Sequence, residues 1–170
     1  MPNPRRLLSI DPSSTCCGWA LCAPPMTRGE HLITFGRLKP PSGMAAMGRL
    51  RFMKREVELL VQRVNAEVAV IEMPSGKMHR SIRGRASGQT IYGAAAGVVL
   101  SVLWDRFGYQ SVKTVADNEW TGSAKKKDRA KYLPLDFPQY DPQADSGLDM
   151  ADAIELGRWW CNEQILAGAR

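Results

Sequence analysis

Two short apolar runs in the sequence each end in an acidic residue. "LLSID" at residues 7–11 ends in Asp11, and "VAVIE" at residues 68–72 ends in Glu72. Runs of this length, bounded by turn-forming residues, predict buried strands. If the two strands are neighbours in one sheet, their terminal carboxylates converge. Glu72 is then half buried with no cation beside it in the sequence, which is unusual for a purely structural residue.

The remaining elements predict an α/β domain. Further strands are expected at residues 18–22, 31–38 and 111–115, and helices at 44–65, 89–107, 123–133 and 148–166. Residues 74–87 and 134–147 lack an apolar period and are expected to be loops. The order of three strands, helix, strand, helix, strand, helix predicts a mixed sheet with helices on both faces. A chain of 170 residues is the size of a single domain, 1–170.

A second pair of acids begins the last predicted helix. Asp149 and Asp152 are three residues apart, so both project from one face of its first turn. Together with Asp11 and Glu72 they form a set of four carboxylates, which would repel one another without a cation. Such a set suits two Mg²⁺ or Mn²⁺ ions about 3.5–4 Å apart, the arrangement that hydrolyses phosphodiesters.

Each of these acids also has a structural explanation. Asp11, followed by Pro12 and Ser13, could form an Asx-type turn. Asp149 could cap the last helix, and Asp152 could favour the helix dipole. The joint pattern of four acids at the ends of three elements is more informative than any single member.

The charge balance favours a polyanionic partner. Lys and Arg total 23 against 17 Asp and Glu, a net charge of +6. The candidate nucleic-acid-binding residues lie in two runs that flank the acids, although each run could also be a solvated face: Lys77, Arg80, Arg83 and Arg85 in the first, and Lys125, Lys126, Lys127 and Arg129 in the second. The four cysteines form no CxxC pair and no stretch is long enough to span a membrane, so we expect a cytoplasmic protein of a bacterial or phage-infected cell.

Four segments resemble, in order and spacing, the signature segments of the RuvC-type Holliday-junction resolvases, in the RNase H-like superfamily. They are "LLSIDPSSTCCGWAL", "VAVIEMPSG", "SGQTIYGAAAGVVLSVL" and "LDMADAIELG". The resemblance implies a five-stranded sheet of order 3-2-1-4-5 and a homodimer that nicks four-way DNA junctions with bound metal ions. It maps the metal ligands onto Asp11, Glu72, Asp149 and Asp152.

The resemblance also implies basic residues near the scissile phosphate. It maps one of them onto Lys113 and the other onto Lys125 or Lys126, and we place Lys125 in the catalytic set. Bacterial members tend to carry an aromatic residue shortly after the second acid, whereas this chain reads "EMPSGKMHR" there. This departure indicates a divergent branch, such as a phage-type member, and leaves the preferred cleavage sequence open.

Other functions fit parts of the pattern. An RNase H-like nuclease could act on other branched DNA or on RNA, and a junction-binding protein could have the fold without cutting. An actin-like ATPase or sugar kinase also has an Asp followed by small polar residues, but such enzymes need a second lobe that this length does not supply. The helix at 89–107, with its small residues, could be core, dimer face or both.

Overall fold

The computed structural model describes residues 5–24, 31–75, 85–121 and 125–168, with the backbone alone at 85–89 and 165–168. Within these ranges the chain forms one five-stranded sheet of order β3-β2-β1-β4-β5. The strands are β1 (Leu7–Asp11), β2 (Cys17–Cys22), β3 (Leu32–Leu38), β4 (Val68–Met73) and β5 (Val112–Ala116). β2 is antiparallel to β1 and β3, whereas β4 is parallel to β1 and β5. The predicted mixed sheet and its strand order are confirmed.

Six α-helices accompany these strands in the described ranges. They are α1 (Ala46–Arg63), α2 (Arg85–Phe107), α3 (Asp117–Trp120), α4 (Lys126–Lys131), α5 (Leu133–Asp136) and α6 (Asp149–Gly168). A 3₁₀ turn, Tyr109–Ser111, precedes β5. None of the described helices is long and apolar enough to cross a membrane.

Three helical segments differ from the prediction. α2 begins four residues before Gln89, so the prediction of a loop through residue 87 is wrong at 85–87. α3 was not predicted, and α5 lies partly in the loop expected at 134–147. Helices of four residues are too short for an apolar period, and the first turn of α2 is polar, so periodicity gives no signal in either case.

The sheet separates two apolar layers because side chains alternate along each strand. In β1, Leu8 and Ile10 pack with α1 and α2, while Leu7 packs with α6 on the other face. Trp159 and Trp160 of α6 pack partly buried against this second layer. The fold therefore places helices on both faces, with α6 packed across β1, β2, β3 and β4 on one of them.

A hydrogen bond from Ser9 of β1 connects the middle of the sheet to α6. The Ser9 hydroxyl is fully buried and donates to the backbone carbonyl of Ala153 at 2.6 Å, with the carbonyl of Ala20 at 3.2 Å. A Cβ atom on Gly157 of α6 would lie 2.8 Å from the Ser9 oxygen, so only glycine permits this approach. The contact fixes α6 against β1.

Candidate active site

Strand alternation brings the first two acids to the α6 side of the sheet. β1 and β4 pair in parallel, with Ile10 opposite Ile71, so Asp11 and Glu72 are the next residues along neighbouring strands. Ile10 and Ile71 both face α1 and α2, which directs the following residue of each strand to the opposite face. Asp11 and Glu72 are both buried there.

The first turn of α6 adds the second pair. Asp152 is buried, and Asp149 is partly exposed. The start of α6 lies against β2 at Gly18, the residue that pairs with Asp11. A Cβ atom on Gly18 would lie 1.8 Å from the carbonyl oxygen of Asp149, a distance that no side chain permits. Gly18 therefore allows the last helix to approach the end of β1 closely.

Asp145, and not Asp149, caps α6. The Asp145 side chain is fully buried. It accepts hydrogen bonds from the backbone N–H of Asp149 at 3.1 Å, the N–H of Ala151 at 2.9 Å and the hydroxyl of Tyr140 at 3.0 Å. The explanation of Asp149 as the cap of this helix is thus wrong. Its carboxylate is therefore available to the site, where it contacts Lys126. Leu148, just before it, has a left-handed backbone with φ of 57°.

One ammonium group lies among three of the four carboxylates. Lys126 Nζ is 2.9 Å from Asp152 Oδ2, 3.5 Å from Asp149 Oδ1 and 3.8 Å from Asp11 Oδ2. The lysine belongs to the first turn of α4, so a fourth element, besides β1, β4 and α6, reaches the site. The acids are therefore close enough to share a single cation.

The pKa values of Asp11 and Lys126 are both raised, but for different reasons. Burial raises the pKa of Asp11 well above its usual value, the neighbouring Glu72 raises it further, and the Lys126 ammonium opposes both. Burial by itself would lower the pKa of Lys126, but the charges of Asp11, Asp152 and Asp149 outweigh it and leave that pKa raised. The charge of Lys126 thus only partly offsets the burial of Asp11, while the lysine itself is held in its charged form.

Glu72 is held by two neutral donors. The Tyr92 hydroxyl donates to Oε1 at 2.8 Å, and the Trp120 indole N–H donates to Oε2 at 2.9 Å. Burial raises the pKa of Glu72, and these two hydrogen bonds partly counteract the rise by stabilising the carboxylate. Both oxygens of this carboxylate therefore have fixed partners.

The donor chemistry fits a hard divalent cation. All the candidate ligands are carboxylate oxygens, which Mg²⁺ and Mn²⁺ prefer. In this structure the ammonium of Lys126 supplies the positive charge that a metal ion would supply among three of them. In the described ranges no three His, Cys, Asp or Glu side chains are arranged to hold a metal ion. A metal ion at this position therefore requires Lys126 to withdraw from Asp11, Asp149 and Asp152.

The structure separates the predicted basic residues into several groups. Lys125, assigned to the catalytic set, is exposed directly before α4, whereas its neighbour Lys126 contacts the acids. Lys113 on β5 and Lys127 on α4 are also exposed. Arg129 Nη2 lies 2.8 Å from Asp152 Oδ1.

The first basic segment lies almost wholly outside the described residues. Lys77, Arg80 and Arg83 fall in the range 76–84, and Arg85 begins α2 in the part for which the backbone alone is described. Their assignment to DNA binding stays a prediction, as does that of Lys113, Lys125 and Lys127.

Sequence reasoning missed three residues that hold the acids in place. Asp145 stands four residues before Asp149 in a segment rich in Pro and Asp, which is a capping signal available in the sequence. Tyr92 and Trp120 are 20 and 48 residues from Glu72, and no local pattern links them to it. Tertiary contacts of this kind are visible only once the helices are placed on the sheet.

Solved structures of Holliday-junction resolvases resemble this chain. Thermus thermophilus RuvC in complex with a Holliday junction substrate has a TM-score of 0.68 at 18% identity, over 91% of this chain and 92% of that one. A second Thermus thermophilus RuvC structure gives 0.63 at 17%, with the same coverage. The chain has the RuvC fold. The yeast mitochondrial Holliday junction resolvase Ydc2 gives 0.50 at 9%, over 95% of this chain and 86% of its own.

Sequence comparisons add nothing to this likeness, since neither a protein-family model nor a curated protein sequence matches the chain. The RuvC-like sheet order, β3-β2-β1-β4-β5, agrees with the order that the resemblance implied.

Proposed function

We propose that this chain is a metal-dependent crossover junction endodeoxyribonuclease, which resolves four-way DNA junctions by paired nicks. One observation carries the proposal: carboxylates from β1 and α6 surround a single ammonium group, and Glu72 of β4 lies beside them. Phosphodiester hydrolysis by two metal ions needs such a set of oxygen ligands. The RuvC-like fold supports the same class of reaction.

In this proposal Asp11, Glu72, Asp149 and Asp152 hold two Mg²⁺ or Mn²⁺ ions. Bound ions of this type activate a water molecule and stabilise the leaving oxygen of the phosphodiester. β1, β4 and the capped start of α6 hold the four carboxylates on rigid elements, so their approach to the phosphate is fixed by the fold.

We now favour Lys126 over Lys125 as the basic residue beside the scissile phosphate. Of these two lysines, Lys126 is the one whose ammonium contacts the acids. With metal ions held by the carboxylates, this ammonium would be free to pair with a phosphate oxygen. Lys113, Lys125 and Lys127 would then contact the DNA backbone further from the reaction.

Paired nicks on two strands require two active sites, so we propose a homodimer acting on four-way junctions. The neighbouring structure is of RuvC in complex with its Holliday junction substrate, which supports DNA of this shape as the partner. We place the reaction in the cytoplasm of a bacterial or phage-infected cell. A helicase partner forms no part of the proposal.

The test is cleavage of a panel of synthetic substrates by the purified protein. A four-way junction, a flap, a linear duplex and an RNA–DNA hybrid are incubated with Mg²⁺, with Mn²⁺ and with a chelator. We expect symmetric nicks on opposing strands of the junction, dependent on the metal ion. Preferential cleavage of the hybrid or flap would contradict the junction assignment, and cleavage undiminished by the chelator would contradict the metal site.

A further inference from the structure

The indole of Trp120 contacts the candidate metal site from two sides. Its N–H donates to Glu72 Oε2 at 2.9 Å. The guanidinium of Arg129 lies over its ring, 4.8 Å from the centroid, and Arg129 Nη2 is 2.8 Å from Asp152 Oδ1. One aromatic ring therefore links a carboxylate of β4 with a carboxylate of α6.

The other oxygen of Glu72 has a donor from a different helix. Tyr92 of α2 donates its hydroxyl proton to Oε1 at 2.8 Å. With a donor on each oxygen, the Glu72 carboxylate has little freedom to rotate.

Trp120 is itself held firmly. The indole is only 8% exposed and packs in the core layer beneath α6. Its short helix α3 is closed by the Glu119 carboxylate, which accepts from the N–H of Ala116 at 3.3 Å, and by the Thr121 hydroxyl, which donates to the carbonyl of Asp117 at 2.7 Å. The position of the indole is thus set by the fold.

We propose that Trp120 and Tyr92 are positioning residues, which clamp Glu72 in the orientation that receives a divalent cation. Through Arg129, Trp120 also restrains Asp152, so that ligands from two elements are prearranged together. The inference rests on the proposed function and extends it to residues that hold the ligands. Partners of this kind often affect metal affinity nearly as much as the ligands do.

The experiment removes each donor while keeping its ring. Trp120→Phe deletes the indole N–H and retains an aromatic face for Arg129, and Tyr92→Phe deletes the hydroxyl. The matched controls are Trp104→Phe and Tyr109→Phe. These two exposed aromatic residues, on α2 and on the 3₁₀ turn after it, contact each other with tilted rings and lie outside the candidate site. The readout is the dissociation constant for Mn²⁺, measured by electron paramagnetic resonance without DNA, together with metal-free thermal unfolding.

We expect each site variant to weaken Mn²⁺ binding by about 10-fold or more, and each control to leave it unchanged. A second measurement separates positioning from general destabilisation. In a Glu72→Gln background, Trp120→Phe should cause no further loss of Mn²⁺ affinity. The carboxylate that the indole N–H orients is then already absent, and the phenyl ring still lies beneath Arg129. An equal loss in both backgrounds would overturn the proposal. If Trp120→Phe does not fold, the same cycle is run with Tyr92→Phe.

The outcome also distinguishes the inference from the proposed function. Wild-type protein that binds Mn²⁺ but cuts no branched substrate contradicts the proposed function, and the affinity cycle still decides the role of Trp120. Wild-type protein that binds and cuts, with both variants unchanged, overturns the inference alone. A wild-type protein that binds no Mn²⁺ contradicts both.

Discussion

Asp11 is buried close to other carboxylates, and this has a consequence for stability. Burial, followed by the charge of Glu72, raises the pKa of Asp11 well above its usual value. A carboxyl group whose pKa rises on folding stabilises the folded state at low pH, and that contribution is lost as the pH rises through the raised pKa. Each pKa unit of difference corresponds to about 1.4 kcal/mol. The ionised site therefore destabilises the metal-free protein.

We accordingly expect Asp11→Asn to stabilise the metal-free protein at pH 8 by about 1 kcal/mol or more. The gain should shrink toward zero near pH 4, where Asp11 is already protonated in the folded state. Urea unfolding across this range, in the presence of a chelator, measures the difference. A stabilisation that is the same at both pH values would show that the charge of Asp11 is not responsible.

Lys126 partly compensates the same charges. Its side chain is 35% exposed, which screens its interactions with Asp11, Asp149 and Asp152. Lys126→Ala should destabilise the metal-free protein by about 1 kcal/mol, since it removes the ammonium that contacts Asp11 and Asp149 and leaves Asp152 with Arg129. The stabilisation gained on adding Mg²⁺ should be larger in the variant than in the wild type.

Thermal unfolding with and without Mg²⁺ measures both effects. Lys127→Ala, at the exposed neighbouring position in α4, is the matched control and should behave as the wild type does. Equal destabilisation by the two substitutions would mean that loss of helical charge, and not loss of the contact with the acids, is the cause.

At the scale of elements, β1 and β4 were predictable because their apolar runs are unbroken and each ends in an acid. The resemblance implied the strand order, which the structure has. The packing of α6 over the sheet brings Asp149 and Asp152 close to Asp11. α3 was not predictable, since one helical turn has no periodicity. The contact of its Trp120 with Glu72 joins residues distant in sequence and depends on the finished fold.

The contact between β2 and α6 gives a prediction about one glycine. An alanine at Gly18 would place its Cβ atom 1.8 Å from the carbonyl oxygen of Asp149, so strand and helix must separate. We expect Gly18→Ala to destabilise the protein by about 1–3 kcal/mol, as over-packing of a core does, and to weaken Mn²⁺ binding as well.

Gly97→Ala is the control for this substitution. A Cβ atom at Gly97 of α2 meets open space, and alanine favours a helix over glycine by roughly 0.5–1 kcal/mol. Gly97→Ala should therefore be neutral or stabilising in urea unfolding. Equal Mn²⁺ affinity in Gly18→Ala and wild type would contradict the view that this close contact sets the position of Asp149.

At the scale of the whole molecule, the acids lie at one edge of the sheet. β1, β3, β4 and β5 all run in the same direction, so their carboxyl ends meet at that edge, where α3, α4 and the start of α6 also lie. The four acids could be identified from the sequence because strand ends and helix starts are locally encoded. The choice between Lys125 and Lys126 could not, because Lys126 opens α4 whereas Lys125 lies in extended backbone just before it, and the sequence locates a helix boundary only to within a residue or two.

Exposed lysines beside this edge predict how DNA binding depends on salt. Each phosphate contact neutralised by a lysine contributes to the slope of log affinity against log salt. We expect the double substitution of Lys125 and Lys127 by alanine to reduce that slope by about 1–2. Lys54→Ala on α1, where the lysine pairs with Glu58, should leave the slope unchanged. Junction affinity that is insensitive to salt would contradict a basic DNA surface.

The most direct test of the central claim measures nicking and binding of a four-way junction in the same samples. The variants are Asp11→Asn, at the site, and Asp105→Asn, at an exposed position of α2. With Mg²⁺ present, Asp11→Asn should lower the nicking rate by about 100-fold or more, because a metal ligand is lost, and should bind the junction at least as tightly as the wild type. Asp105→Asn should match the wild type in both. Wild-type nicking by Asp11→Asn would contradict the account.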